Sequence, residues 1–500
     1  MHQYLCDYAD HFKVREHIRL DVRVEHAECL GSDGWRITTR DRSLQKDSMI
    51  LAKKLVIATG LTSKPSVPQF RGREHYEGLF MHAKDMAAQD SQLIKARSIV
   101  VLGGGKSSYD ACYSYASRGI KVHMIVRESG YGPVLVAQPY ATPFKIWLEK
   151  LVFTRFLTWL NPCSWSTSDG FSLVQHLFHG TIIGRFLVFL FWAILRDDAW
   201  SLNRYDEHPE TRKLKPRTSP FWIGNTLSIM NYPTDFFDLV RTGQIQVHVS
   251  DVSHLSPHNV HLASGEAIRA DAIVCCTGWE SQPSITFLPK GIEESLGLPC
   301  NLPPGEADAE LCRRADAEIL KRFPMLLAQP VANVASTSSA GTSRMQPHRP
   351  WRLFRFIVPP AFATTRTVAF AGELGVLSKT MVAQTQAIWI AAFLEGDLDL
   401  AQLVEKRCKD TLGGTSMESK VQWDTMVNTQ FCKWKSPAGY GSRFPDLAFE
   451  TLPYVDLLLG DLGLLVQRKG GLLKECFRPY GPEDYKGLIA EYVGLRKKDL

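Results

Sequence analysis

The stretch that most limits how this chain can fold is Ser98-Ile99-Val100-Val101-Leu102-Gly103-Gly104-Gly105-Lys106-Ser107-Ser108-Tyr109-Asp110. The apolar, mostly β-branched run at residues 99–102 predicts a parallel strand covered on both faces. Gly103 supplies a sharp turn. Gly105 has no Cβ, so a pyrophosphate can approach the backbone, and Ser108 is small enough to stand where such turns carry a third glycine or alanine. The helix predicted next passes through Ala111, Cys112, Tyr115 and Ala116 and stops at Gly119. Its first turn offers free N–H groups and the positive end of the helix dipole to an anion. Lys121-Val122-His123-Met124-Ile125-Val126 reads as the second strand. Strand, glycine turn, helix and strand within roughly 30 residues make a dinucleotide-binding βαβ unit; the same turn without that setting would be an ordinary connection. An acidic residue closing the second strand suits a ribose 2′-OH, whereas an arginine suits a 2′-phosphate. Arg127 stands there, with Lys106 in the turn and Glu128 following, and the balance favours NADP over NAD.

With 500 residues, 45% of them hydrophobic and 22% charged, the chain has globular composition and length for two or more domains. A net charge of +6 is small for this size, and no block of like charges points to nucleic acid. The eleven cysteines are odd in number and contain no Cys-x-x-Cys; Cys275 and Cys276 are adjacent in a predicted strand and point to opposite faces. This pattern fits a reducing compartment, with the cytoplasm as the expected location, and argues against disulfide-reductase chemistry. The fifteen histidines are dispersed, and no spacing suggests a metal.

Along the chain, residues 2–12 read as a helix, and residues 18–24 and 35–39 as strands, with a turn at Ser32-Asp33-Gly34. Leu55-Val56-Ile57-Ala58-Thr59-Gly60 reads as a buried strand ending in a small-residue turn, followed by a link with Pro65 and Pro68 that suits a domain crossover. Residues 135–225 break the α/β rhythm with Phe, Trp and Leu. Their uninterrupted apolar run, residues 186–195, would rise about 15 Å as a helix, half of a hydrocarbon core of about 30 Å, so it is not expected to span a membrane. It reads first as a buried helix, with a membrane-surface or a substrate-channel element as alternatives. Strands resume at residues 245–249, form a short pair around Ser264-Gly265, and return at Ala272-Ile273-Val274-Cys275-Cys276-Thr277-Gly278. Residues 281–350 look loop-rich, Arg366 to Gly372 is a further strand-and-glycine unit, and residues 380–394 form a helix stopped by Gly396. No chemistry is evident beyond about residue 400.

Three separated features coincide: the strand ending Ala58-Thr59-Gly60, the turn at Gly103, and the strand ending Cys276-Thr277-Gly278. Ahead of the glycine turn, Tyr76-Glu77-Gly78-Leu79-Phe80-Met81-His82 resembles the F-x-G-x-x-x-H element of flavin-containing and Baeyer–Villiger monooxygenases, with Tyr76 in place of Phe and Met86 at a position usually aromatic. From residue 1 to about 400 the chain resembles the fungal flavin-containing-monooxygenase-like branch. The resemblance implies an α/β fold with two Rossmann-like dinucleotide-binding domains, the NADP domain inserted into an FAD domain, plus the apolar helical insertion. The implied division is residues 1–62 and 281–400 for FAD, 63–280 for NADP with the insertion at about 135–225, and 401–500 of unassigned role. It implies that NADPH reduces FAD, which activates O2 and passes one oxygen atom to a small organic substrate, with specialised metabolism as the setting. Gly103, Gly105, Lys106, Ser107, Ser108 and Arg127 would then serve NADPH; Thr59 and Gly60, where the chain passes between domains, and Gly372 would lie beside the cofactors. No residue is nominated as a general acid or base.

Such enzymes open with a strand and G-x-G-x-x-G for the FAD pyrophosphate. No such element precedes Tyr4, so the FAD domain is expected to be incomplete and the chain to hold FAD weakly. A non-catalytic relative that keeps the NADP fold is the alternative reading. An NADP-dependent dehydrogenase without flavin lacks a convincing proton-transfer pair near the nucleotide. Met86 weighs against the Baeyer–Villiger option.

Overall fold

Period-two burial along its strands sorts the first half of the chain into layers. The computed structural model describes residues 2–222, 227–301, 303–330, 349–407, 416–436, 441 and 444–499. Helix α1 (His2–His11) leads to an antiparallel meander of β1 (Val22–Cys29), β2 (Trp35–Asp41) and β3 (Lys46–Ala52). The first strand lies later than the 18–24 read from the sequence, because Ile18 and Leu20 are exposed and have no core to face. Next come β4 (Leu55–Ile57), β5 (Leu79–His82), α2 (Met86–Leu93), β6 (Ser98–Leu102), α3 (Lys106–Ala116) and β7 (Lys121–Val126). The insertion contributes β8 (Leu135–Ala137), the hairpin β9 (Tyr140–Ala141) and β10 (Ile146–Trp147), then α4 (Leu148–Val152), α5 (Arg155–Trp159), α6 (Ser172–Gln175), α7 (Ile182–Asn203) and α8 (Pro209–Arg212). It closes with β11 (Leu227–Ile229), which pairs in parallel with β8.

After the insertion, α9 (Phe236–Arg241), β12 (Ile245–Val249), the small antiparallel sheet β13 (Val252–Ser256), β14 (Asn259–Leu262) and β15 (Ala267–Arg269), and β16 (Ala272–Cys275) complete the nucleotide unit. Its five-stranded sheet runs β12-β7-β6-β16-β5, all parallel. Ile99, Val101, Val122, Met124 and Val274 join one core with α3 and α9, while Val100, Leu102, Ile125 and Ile273 join another with β13–β15. A parallel sheet sandwiched on both faces reads in sequence as an unbroken apolar run, which is how residues 99–102 announce it.

A fourth strand, β17 (Thr286–Leu288), pairs in parallel with β1. Where loops were expected between residues 281 and 350, α10 (Glu306–Arg322) is a long helix; the rest of that stretch from 331 to 348 lies outside the described residues. Pro303, Pro304 and Pro324 flank the helix rather than break it. Glu306 and Asp308 at its start and Lys321 and Arg322 at its end complement its dipole. Strand β18 (Val368–Phe370) pairs in parallel with β4, forming a two-stranded sheet in which Val56 is exposed and Ile57 buried. So β4 is covered on one side only, not on both as expected.

Helices α11 (Lys379–Glu395), α12 (Leu400–Arg407), α13 (Met417–Lys435), α14 (Thr451–Asp461), α15 (Leu472–Phe477) and α16 (Leu488–Asp499) follow. All of these but α15 share one apolar core with α4, α5, α7 and α10. Helix α14 is its axis, buried from Thr451 to Leu459. The apolar run at 186–195 lies in α7 and is buried on one side only, through Val188, Phe191, Trp192 and Leu195. Among the described residues no single helix is long and apolar enough to cross a membrane.

The insertion is tied to the C-terminal helices by a buried ion cluster. Arg155 Nη1 donates to Asp456 at 2.5 Å, Nε donates to Glu475 at 2.5 Å, and Nη2 reaches the Val466 carbonyl at 3.2 Å. Burial alone would favour loss of the Arg155 proton; Asp456 and Glu475 outweigh it and hold the guanidinium charged above its ordinary range. Replacing only the arginine would leave two carboxylates buried without a counter-charge. Arg155→Met is therefore expected to lower stability by about 3–5 kcal/mol, read from the midpoint of urea denaturation.

Candidate functional site

The turn after β6 is shaped by three glycines with different duties. Gly103 has φ +137°, and a Cβ there would lie 2.5 Å from the Cys276 carbonyl oxygen and 2.7 Å from Ser108 Oγ. Ser108 itself is fully buried where α3 crosses β16. A Cβ on Gly104 would meet the Gly132 carbonyl oxygen at 2.9 Å, because Val134 N–H donates to the Gly104 carbonyl and folds residues 127–133 over the turn. Gly105 is different: it caps α3 in an extended conformation, no side chain caps that helix end, and a Cβ there would meet nothing within 4 Å. The first-turn N–H groups of α3, Ser107 among them, thus face open space beside a bare backbone, an arrangement that fits a phosphate.

The basic residues around this turn are placed unequally. The Lys106 ammonium lies along α3, bonded to Asp110, to Asn231 Oδ1 at 3.1 Å and to Tyr232 OH at 3.2 Å. Arg127 is exposed at the end of β7. Sequence reasoning missed Arg217, whose Nη1 donates to the Gly130 carbonyl at 3.0 Å and whose side chain lies against Gly132. It arrives from the far end of the insertion, ninety positions from Arg127, so no local pattern marks it.

A second opening lies at the carboxyl ends of β4 and β18. Ala371 N–H donates to the Ile57 carbonyl at 2.8 Å, which brings Thr59 and Gly60 beside Gly372. Gly60 (φ +61°) and Gly372 (φ +81°) both face open space. Gln386 on α11 accepts from Gly372 N–H at 3.0 Å and is itself held by Tyr454 OH at 2.8 Å. Between these turns lies Glu373, 1% exposed, which accepts from Thr59 Oγ1 at 3.4 Å. Burial pushes its pKa up to about 7, opposed by the Thr59 hydroxyl and the Gly60 N–H. Sequence reading passed over Glu373; its signal is its place directly after a glycine that ends a buried parallel strand.

The two openings are joined where the chain crosses twice. Ser66 N–H donates to the Gly278 carbonyl at 2.9 Å, Glu280 N–H to Lys64 at 2.8 Å, and Thr277 Oγ1 to the Ser66 carbonyl at 2.5 Å. His82 braces this crossing, with Nε2 3.1 Å from the Gly278 carbonyl and its ring 5.0 Å from that of Trp279. Tyr76 OH donates to the Ala270 carbonyl at 2.9 Å, and a Cβ on Gly78 would collide with that hydroxyl at 2.5 Å. The Tyr76-to-His82 element thus clamps β5 to β16 at both ends, with His82 at the crossing. Elsewhere, an apolar pocket lies between β8, the β9–β10 hairpin and α7, lined by Leu135, Ala137, Leu157, Trp192 and Leu195, with Gln138 and Asp198 as polar members.

A glycine-turn βαβ unit and a second parallel-strand crevice braced against it define a dinucleotide-dependent oxidoreductase. Residues 1–143 match the family model described as pyridine nucleotide-disulphide oxidoreductase; no Cys-x-x-Cys accompanies that match. The chain is 30% identical to an FAD-dependent monooxygenase of Pyrenophora dematioidea over 95% of its own length and 85% of the relative's. It is 29% identical to the FAD-dependent monooxygenase rstn6 of Aspergillus nomiae over 99% of its length and 84% of the relative's. Its fold is similar to that of cyclohexanone monooxygenase from Rhodococcus sp. Phi1 bound to NADP+, with TM-score 0.52 and 14% identity over 92% of this chain and 82% of that one. The chain belongs to the FAD-dependent monooxygenases. It is an FAD-dependent oxidoreductase whose reaction places one oxygen atom of O2 on a small organic substrate.

Glu373 gives this site a pH signature. The folded chain holds its proton up to about pH 7, whereas an ordinary glutamate releases it near 4.5. Between those values the native state binds more protons than the unfolded one, so the stability is fully present below the window and is lost as pH rises through it. Denaturation midpoints measured from pH 4.5 to 7.5 should fall in the wild type by about 2 kcal/mol relative to Glu373→Gln. Parallel profiles for the two proteins would contradict the assignment.

Proposed function

We propose that NADPH lies with its pyrophosphate on Gly103, Gly105, Ser107 and the start of α3, and that its 2′-phosphate lies between Arg127 and Arg217. We further propose that the flavin lies over Thr59, Gly60 and Gly372, and that the substrate is a lipophilic small molecule held in the pocket between β8 and α7. The observation that carries this reading is the open space at Gly105 beside an uncapped helix end, with β8 leading from the loop over that turn directly into the pocket wall. Residues 63–280 then form the NADP unit, with 1–62 and 281–400 on the flavin side, because the bonded crossing at 64–66 and 278–280 falls at both proposed boundaries. The free cysteines support a reducing, cytoplasmic setting.

Bound FAD supplies the redox chemistry and the activation of oxygen. The chain supplies position. Ser108 fixes the distance between α3 and β16, so the helix end stays aimed at the phosphates. Lys106, already paired with Asp110, orders the Asn231–Tyr232 loop at the rim and adds little free charge. Glu373 keeps a proton near neutral pH next to Thr59, so the flavin-side crevice carries no buried negative charge in acid. The apolar pocket wall excludes water from the substrate.

Titration with NADPH and NADH tests the nucleotide site. Gly105→Val is expected to keep the fold, since its side chain enters open space, and to weaken NADPH binding at least about tenfold. Arg127→Ala and Arg217→Ala should each cost about tenfold for NADPH and leave NADH unchanged. Loss in Arg127→Ala alone would make Arg217 a loop brace.

The pocket is tested with Ala199→Phe, which fills it from α7. With a lipophilic substrate in hand, KM should rise by about tenfold or more, while NADPH affinity stays constant. An unchanged KM would move the substrate elsewhere.

A further inference from the structure

Helix α7 carries apolar side chains all round, and the protein covers only one side of it. Opposite the buried Phe191 and Trp192, Ile182 is 79% exposed, Ile183 74%, Phe186 61% and Phe189 63%. Between Ile182 and Leu195 the helix has one charge, Arg185. Further apolar side chains, in part exposed, flank the helix on its Phe191 side. The ring of Phe144, at the tip of the β9–β10 hairpin, lies 5.9 Å from that of Phe191; Phe156 links Phe191 to Phe477 of α15 at 5.8 and 5.7 Å. Leu472 and Leu473 add exposed apolar surface on α15, and Leu173 and Leu177 add it past the start of α7. An exposed apolar surface drawn from four separate elements is far larger than scattered surface leucines and marks a docking site.

Charge says what docks. The hairpin and α4 place Lys145 and Lys150 beside this face, α7 adds Arg185, and α15 adds Lys474 and Arg478. On the same elements the exposed carboxylates are Glu149 and Asp197, the latter paired with Arg196 of its own helix at 2.8 Å; Glu475 is buried against Arg155 and gives the surface no charge. A second copy docking through a two-fold axis would set this cationic rim against itself. An anionic lipid surface complements both the rim and the apolar centre. Residues Ser172–Gly180 and Ile182–Asn203 meet at 85°, so the apolar segments form a corner rather than a straight span. A helix of this kind lies in the interfacial plane with its apolar side in the headgroup–acyl boundary.

We propose that this face seats the protein on an anionic bilayer, with α7 lying in the membrane surface and not crossing it. The other side of α7 contributes Trp192, Leu195 and Ala199 to the pocket, so seating brings the pocket wall within about 10 Å, one helix diameter, of the bilayer surface. Direct loading of substrate from the bilayer rests on the proposed pocket; the seating itself does not.

The test is flotation of the full-length protein with vesicles of phosphatidylcholine alone and of phosphatidylcholine with phosphatidylserine, at low and high salt. Wild type should float with the anionic vesicles and be released by salt. Phe186→Ser with Phe189→Ser, both already exposed, should keep the melting temperature and lose binding at least tenfold. Lys474→Ala should lose about fivefold. Wild type left at the bottom with both vesicle types, or a phenylalanine variant that floats like wild type, overturns the proposal. So does a wild-type dimer that the phenylalanine changes convert to monomer without any vesicle binding. Vesicle binding with an unchanged KM in Ala199→Phe leaves the seat standing and removes the pocket reading.

Discussion

Arg155 is the point on which the helical half of the protein hangs. Its guanidinium is fully buried, and its contacts reach Asp456 on α14, Glu475 on α15, the Val466 carbonyl and the Tyr480 hydroxyl. Charged groups at this depth are tolerable only with partners in place. The cluster therefore makes the position of α5 conditional on α14 and α15, three hundred residues away in sequence. Helix α5 in turn places Leu157 in the pocket wall and Phe156 against Phe191, and Trp192 Nε1 donates to the neighbouring Leu160 carbonyl at 2.8 Å. The pocket and the outward face of α7 are set by one ionic contact that neither of them contains.

The nucleotide half is organised by steric exclusion. Cβ atoms at Gly103 and Gly104 would strike neighbouring backbone, so those positions hold the turn shut; of the three, Gly105 alone faces open space. The crossing at residues 64–66 and 277–280 then fixes this turn relative to Gly60 and Gly372 through backbone hydrogen bonds, with His82 packed over the join. The Tyr76-to-His82 element, which reads in sequence as a signature, clamps β5 to β16 at both ends: Gly78 is small because Tyr76 lies across it at the start of the strands, and His82 reaches the joint at their other end.

What was legible in the sequence was what is local. The βαβ unit falls close to its expected limits because unbroken apolar runs, a glycine turn and a helix stop all act over short distances. Arg217 and Glu373 were invisible because their importance lies in what folds onto them. Helix α10 was hidden by flanking prolines, although its charge gradient was there to read. The run at 186–195 shows the limit of hydropathy: composition gives a helix, but only tertiary packing says that Val188 and Trp192 are inside while Phe186 and Phe189 are outside. Nothing in residues 401–500 suggested chemistry, yet α14 is the spine of the largest core.

Strand β8 divides its three side chains between two interiors. Val136 belongs to the core behind the nucleotide turn, whereas Leu135 and Ala137 belong to the helical core and line the pocket. Alternation along one short strand thereby separates two evolutionary variables. If substrate enters the pocket as proposed above, bulk can be added or trimmed at 135 and 137 to retune what it admits, while the single position between them, its carbonyl held by Asn203 at 2.6 Å, keeps the βαβ layer unchanged. A lineage can diversify its chemistry of recognition at odd-numbered positions without putting its source of reducing power at risk.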